Sequence, residues 1–192
     1  MTKEKCIKIK KVVDIYVKSG MITKDRFILE EYFYKDVLKM SKQFTIRKMT
    51  IEDYDGLRAL WMTIHGFGIR SIDDSREGVA QFLKRNPETS VVAVGEDGSI
   101  VGGILCGHDG RRGCLYHVCV REDYRRLGIG KAMVVYCMNA LKAENINKVS
   151  LIAFTVNDVG NAFWRCIGWT KREDLNYYDF TLNEENITAF NQ

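Results

Sequence analysis

The 192-residue sequence has little proline, little histidine and no long apolar run, and each shortage narrows what the protein can be. No apolar run approaches the roughly 20 residues that a helix needs to cross a bilayer, so no membrane span is expected. Neither an internal repeat nor a low-complexity segment is visible. Charges recur every few residues from the first methionine onward, so the N-terminus lacks the apolar region of a signal peptide. This pattern predicts a cytoplasmic protein. The length suits one domain with a short appendage.

Sequence patterns for metal binding and disulfide bonding are also lacking. The cysteines include no CxxC pair, and only three histidines are available to complete a metal site. In a cytosolic chain such cysteines are usually reduced and pack as small apolar residues, so neither a metal nor a disulfide framework is expected. Cys106 and Cys114 flank a predicted hairpin and could face each other. The six cysteines are Cys6, Cys106, Cys114, Cys119, Cys137 and Cys166.

The formal net charge of +4 conceals an uneven distribution of charge. Residues 1–48 contain 13 Lys and Arg against 6 Asp and Glu, a net +7, whereas the remainder contains 16 against 19, a net −3. Positive charge is therefore concentrated in the leader, and the body is slightly acidic. This polarity argues against a nucleic-acid-binding face that covers the whole domain.

Residues 1–43 are predicted to form a basic helical extension, and residues 44–192 a separate folded domain. The first helix covers about Glu4 to Lys18 and stops at Gly20, and the second could start at Thr23 and run to about Met40. Because the second helix is rich in aromatic residues, part of it is expected to pack. Three roles stay open for the extension: a hairpin on the body or a homodimer partner, a nucleic-acid arm, or a lid.

From Phe44 onward, periodicity and turn residues predict the element order β-α-α-β-β-β-α-β-α-β-β. The helices are predicted from Thr50 to about His65, from Asp73 or Asp74 to Leu83, from Gly128 to Glu144, and from Asn161 to Cys166. The strands are predicted at Phe44–Lys48, Ser90–Val94, Ile100–Cys106, Cys114–Val120, Lys148–Val156, Thr170–Asp174 and Tyr177–Leu182.

The junction between the fourth strand and the third helix carries the strongest chemical signal. Gly128 and Gly130 let a ligand approach the backbone at a helix N-terminus, whose free N–H groups suit a phosphate. Arg125, Arg126 and Lys131 add three cations where carboxylates are normally favoured. An anionic ligand explains this arrangement better than an ordinary helix cap.

Other phosphate motifs fit this junction less well. A Walker loop needs a glycine at position 125 and Ser or Thr at position 132, where this chain has Arg125 and Ala132. A Rossmann fingerprint needs a third glycine, where this chain has Met133, and it begins a parallel βαβ unit rather than following two hairpins. A cationic cap with no ligand is the remaining alternative.

The spacing Arg125-x-x-Gly128-x-Gly130 resembles the pyrophosphate-binding motif of GNAT acetyltransferases, commonly (Gln/Arg)-x-x-Gly-x-(Gly/Ala). Downstream, Asn157-x-x-Gly160-x-x-x-Trp164-x-x-x-Gly168-Trp169 resembles the family's Asn-x-x-Ala-x-x-x-Tyr-x-x-x-Gly-Phe. The element order also matches the family over about residues 44–182. The resemblance implies an α+β fold, in which a mixed, mostly antiparallel central sheet is flanked by helices and splayed between its fourth and fifth strands. The hairpin at residues 107–113 resembles one in bacterial GNAT proteins, which is a weaker signal.

The resemblance further implies an acetyl-CoA-dependent N-acetyltransferase that moves the acetyl group directly to a primary amine, with no metal. Pantetheine would lie in the splay, the pyrophosphate would bind the glycine loop, and a backbone donor would stabilise the oxyanion. The cofactor-binding residues implied are Val118, Cys119, Val120, Arg125, Arg126, Leu127, Gly128, Ile129, Gly130, Lys131, Asn157 and Trp164.

Catalytic residues are harder to assign, because the family's usual general acid is a Tyr where this chain has Trp164. Family bases often lie on the fourth or fifth strand, at positions that align with Cys114 and Ile152, and neither is acidic. Strict alternation places Tyr116 on the same face as Val118 and Val120, with His117 on the opposite face. Tyr116 is therefore the candidate acid or water relay, and His117 a core histidine. Tyr177 and Tyr178 are other candidate donors.

The acceptor is expected to enter between the first two helices and the last strands, lined by residues from His65 to Asp74. Asp73 or Asp74 could anchor a cation there or simply cap a helix. The acceptor itself, a small molecule or a protein, is not readable from the sequence. The alternative function is a catalytically silent GNAT fold that binds acyl-CoA as an interaction module, and Trp164 is the residue that favours it.

Overall fold

The computed structural model describes residues 43–191, so the predicted helical extension lies outside the described residues apart from Gln43. Short 3₁₀ turns at Ile51–Asp53 and Glu122–Tyr124 precede α1 and α3. The helices are α1 (Tyr54–Met62), α2 (Arg76–Arg85), α3 (Ile129–Ala143) and α4 (Asp158–Cys166). The strands are β1 (Phe44–Lys48), β2 (Gly68–Arg70), β3 (Val91–Gly95), β4 (Ile100–His108), β5 (Gly113–Val120), β6 (Val149–Leu151) and β7 (Thr188–Phe190).

The central sheet has the strand order β1-β3-β4-β5-β6. All neighbouring strands are antiparallel except β5 and β6, which are parallel. The predicted α+β fold with a mixed, mostly antiparallel sheet flanked by helices is confirmed. Among residues 43–191, no helix combines the length and the apolar character that crossing a bilayer requires.

Two hydrophobic clusters fill the two faces of this sheet. One face packs against α3, where Met133, Cys137 and Leu141 meet alternate residues of β3 and β4. The other packs against α1 and α2, where Leu57 and Trp61 are fully buried. Alternation along β3 divides its side chains between the two clusters. We call these the α3 face and the α1 face.

A β-bulge interrupts the alternation of β5. Leu105 of β4 lies opposite Tyr116 and Gly103 lies opposite Cys119, so one residue of β4 spans two residues of β5. The extra residue is accommodated at His117, whose φ is +50°. Histidine is one of the few non-glycine residues found with some frequency in this left-handed region.

The bulge changes which side chains share a face. Tyr116 meets Phe82 of α2, and His117 meets Trp61 of α1, so both lie on the α1 face. Val118 and Val120 pack with the α3 cluster instead. The predicted grouping of Tyr116 with Val118 and Val120, with His117 opposite, is therefore wrong, because alternation fails across an inserted residue.

The C-terminal segment differs most from the prediction. The strands predicted at Thr170–Asp174 and Tyr177–Leu182 are wrong, since neither segment pairs with another among the described residues. The charged residues of the first segment pair within the segment. Lys171 pairs with Glu173 at 2.7 Å and Arg172 with Asp174 at 2.6 Å, on residues two apart.

The C-terminal residues instead tie down the segment between α1 and α2. β7 pairs antiparallel with β2, a pairing the sequence did not signal because each strand has only three residues. Ser71 exchanges hydrogen bonds with the backbone of Glu185 and Ile187. The Asn191 side-chain amide donates to the carbonyl oxygens of Trp61 and Ile64, at 2.7 and 3.1 Å. Those carbonyls lie at the end of α1, where helices leave acceptors unpaired.

We predict that Asn191→Ala lowers the free energy of unfolding by about 1–2 kcal/mol, because two part-buried carbonyls each lose a side-chain donor and keep only a backbone N–H. Asn147→Ala is the control, since the Asn147 amide bonds only an exposed carbonyl, and it should change stability by less than about 0.5 kcal/mol. Urea unfolding of both variants measures the difference. Equal stabilities would show that the C-terminal segment does not hold α1.

Candidate active site

The parallel pairing of β5 with β6 stops after three residues. Gly113, Cys114 and Leu115 pair with Val149, Ser150 and Leu151, and the chain after Leu151 leaves the sheet. Residues 116–120 of β5 therefore have no strand neighbour on this edge within the described chain. The opposing wall exposes apolar side chains, namely Ile152, Phe154 and Val156. The result is an open cleft with unpaired backbone on one side. It lies between β5 and β6, which are the fourth and fifth predicted strands, where the family resemblance implies a splay.

The cleft leads to the N-terminus of α3. Gly128 precedes the helix with φ of +83°, a conformation that glycine adopts without strain, and a Cβ there would meet only open space. The first helical N–H bonded within the described chain is that of Ala132, which donates to Gly128 O at 2.9 Å. The amides of residues 126–131 have no hydrogen-bond acceptor among residues 43–191. They form a patch of free donors at the positive end of the helix dipole.

The three cations predicted at this helix start are present, and no carboxylate of the described residues pairs with them. Arg125 donates through Nε to the Val120 carbonyl at 3.2 Å, which holds its guanidinium beside the end of β5. Neither Arg125, Arg126 nor Lys131 forms an ion pair with a described carboxylate, and the first turn of α3 contains no acid. Such a patch favours a multiply charged anion.

Side chains of α3 and α4 close the far side of this patch. A Cβ at Gly130 would come within 3.2 Å of the Phe163 ring, so any larger residue there would require that ring to move by a few tenths of an ångström. Trp164 packs against Trp169 with the rings tilted by 55° and their centroids 4.9 Å apart, and it contacts the α3 cluster, consistent with packing rather than proton transfer. Asn157 caps α4 by accepting the Gly160 N–H at 2.9 Å, and its Nδ2 has no acceptor among the described residues.

Cys119 lies on the cleft strand but is not available as a nucleophile. Its side chain is buried on the α1 face and faces Gly103 O. Burial raises the pKa of the Cys119 thiol to about 12. A thiol with that pKa stays protonated throughout the physiological range.

The remaining cysteines do not pair as the hairpin had suggested. Cys106 packs beside Cys137 in the α3 cluster, and the Cys106 thiol and burial raise the pKa of the Cys137 thiol. Cys114 lies beside Tyr116 instead. Cys6 lies outside the described residues, and all five described cysteines are free. No cluster of three His, Cys, Asp or Glu suited to a metal occurs between residues 43 and 191.

Tyr116 lies at the mouth of the cleft on the α1 face. Its ring meets Phe82 edge-on at 5.9 Å, and 48% of the residue is exposed. Burial, together with the Cys114 thiol, raises the pKa of the Tyr116 hydroxyl. The hydroxyl is therefore neutral at physiological pH.

Next to Tyr116 lies a buried pair that the sequence analysis did not join. His117 Nε2 is 2.6 Å from Asp74 Oδ1, and the imidazole packs at 4.8 Å against both Trp61 and Phe67. Asp74 had been considered as a cation anchor or a helix cap, but Ser75 caps α2. No sequence signal links residues 43 positions apart. Only the bulge, which turns His117 toward α1, brings the two together.

The segment from residue 65 to residue 74, predicted to line the acceptor entrance, borders this site. Phe67 packs on His117, and Phe190 of β7 meets Phe154 across the cleft mouth at 5.8 Å. A cavity of about 470 Å³ next to the start of this segment includes His65 and Arg125 in its walls. The anion patch and the acceptor side therefore open close to each other.

The family model described as "Acetyltransferase (GNAT) family" matches residues 54–169, more than half of the chain. The chain belongs to the GNAT acetyltransferase family. A curated acetyltransferase of Yersinia pestis is 30% identical over 113 residues, which is 59% of this chain and 78% of that protein. An acetyltransferase of Sodalis glossinidius matches to the same extent.

Solved GNAT structures share the fold at low sequence identity. The PaiA N-acetyltransferase of Thermoplasma acidophilum, in complex with coenzyme A, has a TM-score of 0.59 and 20% identity, over 70% of this chain and 93% of that chain. An aminoglycoside acetyltransferase from an uncultured soil metagenomic sample has a TM-score of 0.57 and 22% identity, over 73% of this chain and 97% of that chain. Identities this low show the fold alone.

We predict that Cys119 resists alkylation in the native GNAT protein. At pH 8, a thiol with a pKa of about 12 is ionised to about one part in 10,000, so iodoacetamide should modify Cys119 at least about 100-fold more slowly than the exposed Cys166. Peptide mass spectrometry measures both sites, and labelling in urea is the control for intrinsic reactivity. Equal native rates at Cys119 and Cys166 would contradict the buried, protonated thiol.

Proposed function

We propose that the chain transfers an acetyl group from acetyl-CoA directly to a primary amine. The observation that carries this proposal is the continuity between the unpaired edge of β5 and the donor-rich N-terminus of α3. Three cations surround that terminus, and none of them pairs with a carboxylate of residues 43–191. A ligand with an extended arm at one end and a pyrophosphate at the other would fit both the strand edge and the helix N-terminus.

The residues present suit such a ligand. Free amides of residues 126–131 and the side chains of Arg125, Arg126 and Lys131 would hold the pyrophosphate. The backbone of Val118, Cys119 and Val120 would hold the pantetheine arm, and the free Asn157 Nδ2 would donate to it from the other wall. Trp164 would form an apolar wall.

Acetyl-CoA supplies the acetyl group as a thioester, which an amine attacks without a covalent enzyme intermediate. The unpaired edge of β5 supports this proposal with backbone donors that could stabilise negative charge on the carbonyl oxygen. The neutral Tyr116 hydroxyl is placed on the acceptor side of the same strand segment, where it could protonate the departing sulfur. The buried Cys119 thiol offers no competing acylation site.

The acceptor is proposed as a primary amine, on a small molecule or a protein. The direct test is a panel of amines incubated with acetyl-CoA, with release of free thiol as the readout. Peptides with free N-termini, lysine peptides, polyamines, aminoglycosides and arylalkylamines cover the main classes. Acetyl-CoA binding without turnover on any member would favour the silent binding module.

We predict that Gly128→Glu weakens acetyl-CoA binding at least about 100-fold, about 2.7 kcal/mol. The new carboxylate would sit among the donors that the pyrophosphate needs, and φ of +83° disfavours any side chain. Gly110→Glu is the matched control, because Gly110 has φ of +91° and equal open space but lies in the hairpin at the opposite end of β5. Calorimetry should show wild-type affinity for the control. Wild-type affinity in Gly128→Glu would remove the glycine loop from the binding site.

We predict that Tyr116→Phe lowers kcat at least tenfold, with acetyl-CoA affinity changed less than twofold, since it removes only the hydroxyl of a group whose role is proton donation. Tyr136→Phe is the control: Tyr136 is another part-buried tyrosine with a raised pKa, but it lies on α3 away from the cleft. Steady-state kinetics with an accepted amine measures both. Unchanged kcat in Tyr116→Phe would exclude it as the acid.

A further inference from the structure

We propose that Asp74 and His117 form the proton-accepting pair of the active site, in which His117 is the general base for the acceptor amine. The proposal rests on the proposed amine acetylation and assigns the residue that takes the surplus proton of the attacking amine. It stands on the hydrogen bonds of Asp74, on the free nitrogen of His117 and on the place of the bulge in β5.

Asp74 is held as an orienting carboxylate. It is 4% exposed, and its Oδ2 accepts the Arg70 N–H at 2.7 Å while its Oδ1 faces His117 Nε2 at 2.6 Å. Its own carbonyl accepts from the Tyr54 hydroxyl at 2.9 Å. Both carboxylate oxygens therefore act as acceptors, which places the shared proton on His117 Nε2. The other ring nitrogen, Nδ1, then carries the lone pair.

The Nδ1 atom of His117 is free to accept a proton. It has no hydrogen-bond partner among the described residues. It is also not a buried atom left without a partner, so it is not sealed from solvent. The side chain is 14% exposed, with Trp61 and Phe67 against the ring. A largely desolvated imidazole, oriented by a buried carboxylate and open at its second nitrogen, has the arrangement of a general base in acyl transfer.

The bulge puts this base at the place where transfer is proposed. His117 directly precedes Val118, the first of the three residues proposed to hold the pantetheine arm, and it lies on the unpaired stretch of β5. It shares the α1 face with Tyr116 and contacts the 65–74 segment that borders the acceptor entrance. Its φ of +50° is a conformation that a non-glycine residue retains mainly where the surroundings enforce it.

The step balances without another reactant. The amine nitrogen forms a bond to the thioester carbon, and its surplus proton moves to His117 Nδ1, with Asp74 stabilising the imidazolium. The carbon–sulfur bond then breaks, and its electron pair leaves on sulfur. The sulfur takes a proton from solvent, or from the Tyr116 hydroxyl, which then regains one from solvent, and the proton on His117 passes to solvent. The products are an N-acetyl amine and free coenzyme A.

Asp74→Asn tests the pair through the histidine tautomer. The asparagine oxygen can still accept from Arg70 N–H, which turns the NH₂ group toward His117 Nε2 and forces the ring proton onto Nδ1. The base is then lost although the shape is kept. We expect kcat to fall by about 10²–10⁴-fold with acetyl-CoA affinity within twofold of wild type. Asp109→Asn is the control, because the Asp109 carboxylate accepts only from the nearby Arg111 and Arg112 amides in the hairpin at the opposite end of β5, and it should keep kcat within twofold.

His117→Gly with added imidazoles separates proton transfer from packing. Glycine accepts φ of +50° without strain and leaves a ring-sized space beside Asp74. We expect turnover to fall at least 100-fold and to recover with imidazole, with rescue rates that rise with the pKa of substituted imidazoles of similar size. The double variant His117→Gly, Asp74→Asn should show no rescue.

Each result bears on a different statement. If Asp74→Asn and His117→Gly both turn over at the wild-type rate, the proposed pair is wrong and the proposed acetyltransferase function still stands. Rescue that follows the size of the imidazole but not its pKa also overturns the proposal, since the added imidazole would then only fill the space that His117 leaves. If His117→Gly does not fold, unchanged kcat in Asp74→Asn overturns the proposal by itself. Failure of the wild-type protein to acetylate any amine is a failure of the proposed function instead.

Discussion

The point at which β5 parts from β6 is the constraint on which the site depends. Three pairs, Gly113 to Leu115 with Val149 to Leu151, hold the sheet together, and the next five residues of β5 are left with an open edge. Unpaired backbone in a sheet is normally a liability, because it invites association with another strand. Here that edge runs directly into the amides at the start of α3, so one continuous stretch of chain supplies donors for an extended ligand and for its phosphates.

The bulge at His117 is the second constraint, and it distributes the chemistry between the two faces. With one residue inserted, Val118 and Val120 turn toward α3 while Tyr116 and His117 both turn toward α1. A regular strand would have sent one of these two polar side chains into the α3 core. The insertion also sets His117 against Asp74, and the C-terminal residues hold the segment that carries Asp74 by pairing β7 with β2. Acceptor-side chemistry therefore depends on contacts from the last residues described.

What the sequence could predict is what is encoded locally. Arg125, Gly128, Gly130 and Lys131 lie within one loop and one helical turn, so their spacing alone indicated an anion site, and within residues 43–191 no carboxylate pairs with these cations. The five main strands and four helices also follow from short-range periodicity. The Asp74–His117 pair and the β2–β7 pairing join residues far apart in the chain, which no periodicity reports. The strands predicted after residue 169 were wrong because local alternation does not report whether a partner strand lies alongside, and neither segment has one among the described residues.

The division of the site between two faces also bears on the order of the reaction. The proposed cofactor contacts lie at the α3 N-terminus and along the cleft edge of β5, and the proposed acid and base lie on the α1 face of the same strand. In this proposal, an acetyl group held on the α3 face and an amine arriving from the α1 face meet at the open edge of residues 116–120. The thiol on this stretch, that of Cys119, is buried and protonated and is not suited to store the acetyl group. The proposed direct transfer therefore requires both substrates to be bound together. Initial-rate plots with an accepted amine should intersect, whereas parallel lines would indicate an acyl-enzyme.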